Sequence, residues 1–125
     1  MNGGILVQDL QNHAMAGKHE IVNENREKYQ ITSTHHQAQC PYYMNPEHYK
    51  LLFWASPKRS NKYAGFCPEG QMWKHWHEEW EEPEIVEYHV PGNPVCIGIQ
   101  GHPEMMDKDS DTVKMLNNLI RSYLK

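Results

Sequence analysis

Polar and apolar residues alternate along several short stretches of the chain, and this alternation carries most of the structural signal. KHEIVNE (18–24) and KYQITSTHH (28–36) read as two strands, the second running out into a polar loop. HYKLLFWAS (48–56) is the strongest strand, dense in aromatic and aliphatic side chains that suit a pleated surface. PKRSN (57–61) then reads as a turn and KYAGF (62–66) as the strand returning beside it in a hairpin. EIVEYHV (84–90) alternates cleanly, as a half-buried strand does, and PGNP (91–94) is a turn. VCIGIQ (95–100) is a nearly continuous apolar run, the pattern of a strand buried on both faces.

Two further stretches differ in period. DKDSDTVKMLNNLIRSYLK (107–125) predicts a helix, with Ser110 or Asp111 as its cap and Arg121 in its last turn. Val113, Leu116, Ile120, Tyr123 and Leu124 fall at helical spacing and predict its buried face. CPEGQMWKHWHEEWEEPE (67–84) reads as an excursion from the core, with a turn or two of amphipathic helix stopped by Pro83. GGILVQDL (3–10) reads as two flexible glycines followed by a short apolar stretch. Several strands followed by one terminal helix give an α/β chain, with neither an internal repeat nor a low-complexity linker.

Composition narrows the classes. The 125 residues suit one modest domain, and the 38% apolar content is low but supplemented by four Trp and seven Tyr, which argue against disorder. A net charge of −4 argues against a nucleic-acid partner. No apolar run approaches the ~20 residues that span a bilayer, and the first residues lack a signal-peptide pattern, so neither a membrane nor secretion is expected. The three cysteines, Cys40, Cys67 and Cys96, form no Cys-x-x-Cys pair. A reducing, cytoplasmic setting follows as the default.

Three constellations could carry chemistry. Gln100-Gly101-His102-Pro103-Glu104 closes the VCIGIQ strand. His102 suits a general base and Glu104 could fix its tautomer, as the acidic member of a triad does; on spacing alone, a solvated His and Glu in a surface loop is the competing reading. Ser33-Thr34-His35-His36-Gln37 follows a strand, and at most one of its adjacent histidines can face a given ligand. His75 and His77, amid Glu78, Glu79, Glu81 and Glu82, have i, i+2 spacing that a shared metal on a helix would not use. That cluster reads better as an acidic, solvated face with Trp73, Trp76 and Trp80 partly buried, or as a tryptophan patch for a partner; no metal and no cofactor is assigned. Among the cysteines, Cys96 reads as inert core, and Cys40 and Cys67 each precede a proline, so none sits in the strained turn a reactive thiol favours.

Taken in order, GGILVQDL, TSTHHQA, EIVEY and GIQGHPE resemble the motifs of the class I glutamine amidotransferases, in the branch of the γ-glutamyl and γ-glutamyl-γ-aminobutyrate hydrolases. The resemblance spans Gly3 to Glu104. It implies a flavodoxin-like α/β domain with a mainly parallel sheet, and a Cys-His-Glu triad whose last two members are His102 and Glu104. It implies that Ser33, Thr34, His35 and His36 lie beside the substrate, a glutamine or γ-glutamyl small molecule hydrolysed through a γ-glutamyl thioester. The family's Gly-x-Cys-x-Gly elbow precedes the Gly-Gly-x-Leu motif, and residues 1–125 hold no counterpart. On that pattern residues 1–125 form a partial domain, the C-terminal half, without the nucleophile. Gly101 stands where the family has Trp, and Thr32 where it has Asn. Such a half is expected to need a complementary N-terminal half or to self-associate, since triad members act as a unit and a half-sheet leaves an edge bare. The alternative is a non-catalytic interaction or regulatory module derived from that domain.

Overall fold

The computed structural model describes residues 5–10, 17–33, 38–56, 62–65, 72–75 and 80–124, with the backbone alone at 5–10, 17, 33, 38, 62–65 and 72–75. In chain order the strands are β1 (Ile5–Leu10), β2 (Gly17–Val22), β3 (Lys28–Ser33), β4 (Ala38–Cys40), β5 (Tyr49–Ala55), β6 (Lys62–Gly65), β7 (Met72–His75), β8 (Pro83–Tyr88) and β9 (Cys96–Ile99). One helix, α1 (Asp111–Tyr123), follows. The architecture is mixed α/β: a curled five-stranded sheet in the order β3-β2-β5-β8-β9, a four-stranded sheet in the order β4-β1-β6-β7, and the C-terminal helix.

Every ladder among the described residues is antiparallel. The mainly parallel sheet implied by the resemblance is not what these strands make, and at two of the pairings the short connection requires it. A parallel neighbour needs a crossover of a dozen residues or more, whereas β2 and β3 are joined by Asn23–Glu27 and β8 and β9 by a loop through Gly92. In the first loop Asn23 Oδ1 accepts from Asn25 N (3.1 Å) and Glu27 N (2.9 Å), and Arg26 takes a left-handed φ of 62°. In the second, Gly92 at φ 83° supplies the left-handed turn that glycine adopts without a steric cost.

The core is built from both sides of the chain. Ile21, Ile31, Phe53, Ile85 and Leu116 form one buried cluster, with Tyr29 edge-on to Phe53 at 5.7 Å. Burying side chains of this size contributes about 1.5–3 kcal/mol each. Helix α1 starts as expected: Ser110 Oγ accepts from Val113 N at 3.3 Å. Its buried face agrees with the expected one at Leu116 and departs from it at the C-terminal end. Thr112 and Leu116 are buried and Met115 and Leu119 pack on the core, while Ile120, Tyr123 and Leu124 are exposed, Leu124 by 78%. Thr112 Oγ1 donates to Gln30 O, and this contact with β3 rotates the helix so that the 112–115–116–119 row faces the sheet.

Four other sequence expectations are corrected. β6 does not return beside β5; it pairs with β1 and β7 in the other sheet. Within the 67–84 excursion the described residues Met72–His75 form strand β7, and Pro83 opens β8. Proline is tolerated at the first residue of a strand, where its missing N–H costs no ladder bond. The first four residues of β8 are buried, so it is more than half-buried, and Glu82 beside it is fully buried and not part of a solvated face. Among the described residues β9 is an edge strand paired with β8 alone, and Cys96 is exposed instead of inert core. The turn at 57–61 and the positions of His77, Glu78, Glu79 and Trp76 lie outside the described residues.

Candidate active site

The end of β9 is built from a strand, a glycine and a proline-led turn. Ile99 pairs with Ile85, and Gln100 N donates to Glu84 O (2.9 Å), which carries the ladder one residue further. Gly101 is buried against Ile31, where a β-carbon would fall 2.2 Å from Ile31 Cδ1. His102 N donates to Thr32 O (3.0 Å), which ties the segment to β3. Pro103 then opens a 3-10 turn, Pro103–Met105, in which Met105 N bonds to His102 O at 3.0 Å. The residue before a proline is held out of the helical region, and His102 accordingly sits at φ −114°, ψ 77°.

This geometry brings the two expected acid–base residues together. His102 Nδ1 donates to Glu104 Oε1 at 2.8 Å. His102 is about one-third exposed and Glu104 two-thirds exposed, so the pair lies at the surface of the fold and not in its core. The hydrogen bond from His102 holds the Glu104 carboxyl below its ordinary value of 4.5, helped by a bond from its own backbone N–H. With Nδ1 committed to Glu104, the ring presents Nε2 as the nitrogen for proton exchange, as in a triad histidine.

The other expected site residues are only partly placed. Ser33 is the last residue of β3, opposite Gly17; its side chain, and Thr34, His35 and His36, lie outside the described residues. Thr32 is buried, and its Oγ1 has no hydrogen-bond partner among the described residues. Cys40 is buried, and burial pushes its thiol up to about 11, the opposite of what a thiolate nucleophile requires. Cys67 lies outside the described residues.

Sequence reasoning missed the residues that hold this corner together. His19 Nε2 and Glu84 Oε1 meet at 2.7 Å with both side chains buried, one from β2 and one from β8. Gln39 in β4 bonds to Gln100, Gly98 and Tyr88. Trp80 is partly buried, as the sequence suggests, but its partners were not legible: it stacks on Tyr42 at 4.7 Å and 6°, with Tyr43 edge-on at 5.4 Å. No short spacing in the sequence links any of these partners. Among the described residues no group of three or more His, Cys, Asp or Glu is placed to hold a metal ion, and no helix is long and apolar enough to cross a membrane.

Comparison with protein-family models, with curated proteins and with solved structures returns no match to this chain.

Proposed function

We propose that this chain carries the acid–base half of a class I glutamine amidotransferase-like site, set at the end of an antiparallel strand pair. The observation that carries this reading is the His102 Nδ1–Glu104 Oε1 bond of 2.8 Å at the end of a strand. In the proposed reaction Nε2 of His102 takes the proton from a cysteine thiol, and the thiolate attacks the side-chain amide carbonyl of glutamine or of a γ-glutamyl compound. His102 returns the proton to the departing ammonia or amine, and water attacks the resulting thioester with His102 again as base. Glu104 stabilises the imidazolium that forms at each transfer.

The thiol belongs, in this reading, to a segment outside these residues. Cys40 is disqualified by its raised pKa, Cys67 precedes Pro68 without small flanking residues, and Cys96, though exposed, starts β9 at the end opposite His102. Ser33 to His36 would border the substrate, and the acceptor-free reaction needs no cofactor.

Glutamate release from glutamine and from a γ-glutamyl amide tests the reading. The chain alone should release none. Mixed with a segment bearing a Gly-x-Cys-x-Gly elbow it should release glutamate, and His102→Ala should return the mixture to background. A stable mixture with no release would overturn the enzymatic reading in favour of a non-catalytic interaction module. Release by the chain alone would overturn the external cysteine.

A further inference from the structure

We propose that Gln39 is a positioning residue for the His102–Glu104 pair: it grips β9 from the neighbouring sheet and sets the strand end from which His102 hangs. The proposal rests on reading that pair as the acid–base element. β9 needs such a grip, because it is the outermost strand of its sheet and only four residues long. An edge strand held on one side frays readily, and a histidine beyond its end inherits that motion.

Gln39 supplies the missing side. Its main-chain N–H donates to Gln100 Oε1 at 2.8 Å. Its side-chain Nε2 donates to Gly98 O at 3.2 Å, and its Oε1 accepts from Tyr88 Oη at 2.6 Å. The orientation of the amide follows from the partners. A carbonyl only accepts, so nitrogen faces Gly98 and oxygen faces the phenol. Burial pushes the Tyr88 phenol up to about 12, which keeps it a donor across the working range. Gly98 makes the arrangement sterically feasible: a β-carbon there would fall 2.3 Å from Gln39 Oε1 and 3.1 Å from its Cδ.

The segment Gln100–His102 is thereby anchored on three strands. Gln100 N is held by Glu84 O of β8, Gln100 Oε1 by Gln39 N of β4, and His102 N by Thr32 O of β3. Of these three, only the β4 anchor crosses from one sheet to the other. The side-chain part of the Gln39 grip, which Gln39→Ala removes, holds Gly98 O four residues before His102, and its loss frees the strand end that carries the ring.

The test is nitrogen NMR of histidine-labelled full chain at a pH where the imidazoles are neutral. In the unmodified chain His102 carries its proton on Nδ1, facing Glu104, and Glu104→Ala should shift it toward the Nε2–H form that free imidazole favours. Gln39→Ala should produce a shift in the same direction while the resonances of His19, buried against Glu84, stay in place. Gly98→Ala should do likewise by expelling the Gln39 amide. Adding Gly98→Ala to Gln39→Ala should change nothing more, because the new methyl enters the space the amide vacated. An unchanged His102 tautomer in a folded Gln39→Ala chain would overturn the proposal, as would independent, additive effects of the two substitutions. If Gln39→Ala does not fold, the same reading is made on Gly98→Ala. The readout needs no turnover, so a chain inert toward glutamine leaves the proposal standing while defeating the enzymatic reading.

Discussion

Gly101 and Ile31 are packed so closely that any β-carbon on residue 101 would lie 2.2 Å from both Cγ1 and Cδ1 of Ile31. Gly101→Ala is therefore expected to destabilise the fold by about 1–3 kcal/mol, the usual cost of overpacking a closed site. Ile31→Ala alone should cost about 2–5 kcal/mol as a cavity. The double variant should lose clearly less than the sum, since the methyl enters the cavity. Urea midpoints for the three variants check this; simple additivity would show that the two residues are not in conflict.

The buried His19–Glu84 pair joins β2 to β8 past the end of β5, with both side chains nearly fully out of solvent. Removing one member of such a pair leaves a polar group without its partner in a low-dielectric setting. Glu84→Ala and His19→Ala are each expected to cost about 3–5 kcal/mol. Glu84→Gln keeps an acceptor for the ring and should cost less than Glu84→Ala. Thermal unfolding monitored by circular dichroism orders the three; equal midpoints for Gln and Ala at position 84 would refute it.

Glu104 titrates below its ordinary 4.5 because His102 donates to it in the folded state. The sign follows directly. A carboxyl whose folded pKa is depressed stabilises the fold above its unfolded pKa, and that contribution fades as pH falls through the lower folded value. The His102–Glu104 contact should thus persist at neutral pH and weaken only below pH 4.5. His102→Ala should move the Glu104 midpoint upward toward its ordinary value, read from the side-chain carboxyl shift in a carbon NMR titration. An unmoved midpoint would mean that the ring is not the source of the shift.

Cys96 and Cys40 should separate cleanly under alkylation. Cys96 is exposed at the start of the edge strand, whereas Cys40 is buried with its thiol pushed up to about 11. At mildly alkaline pH iodoacetamide should modify Cys96 in the folded chain and reach Cys40 only on unfolding. Peptide mass spectrometry after a short exposure distinguishes them, and rapid labelling of Cys40 would contradict its burial.

How much of this was legible before the structure depended on the range of each interaction. KHEIV, YQIT and EIVEY were readable as strands because alternation is a property of a few consecutive residues. The cap at Ser110 was readable for the same reason. Pairing is a property of distant segments, so KYAGF is read beside the wrong strand, and VCIGIQ, read as buried on both faces, proves only half-buried with an exposed start. The face of α1 went astray because Thr112, a polar residue, turns inward to bond Gln30 O, and a hydrophobicity pattern discounts it. Within the candidate site, His102 and Glu104 were legible as a local pair. His19 and Glu84 are 65 residues apart, and no spacing rule reaches across that interval. Gln39 carried no signal at all, since an isolated glutamine on a short strand is ordinary surface chemistry until its partners are known.

The 3-10 turn Pro103–Met105 has a consequence for how this element can be moved between proteins. It folds His102 and Glu104 onto each other within three residues, with the proline limiting the backbone between them. The pair is therefore a portable cassette: its internal geometry should survive grafting onto any strand that ends in the same five-residue segment. Its aim, in contrast, is lent by the host.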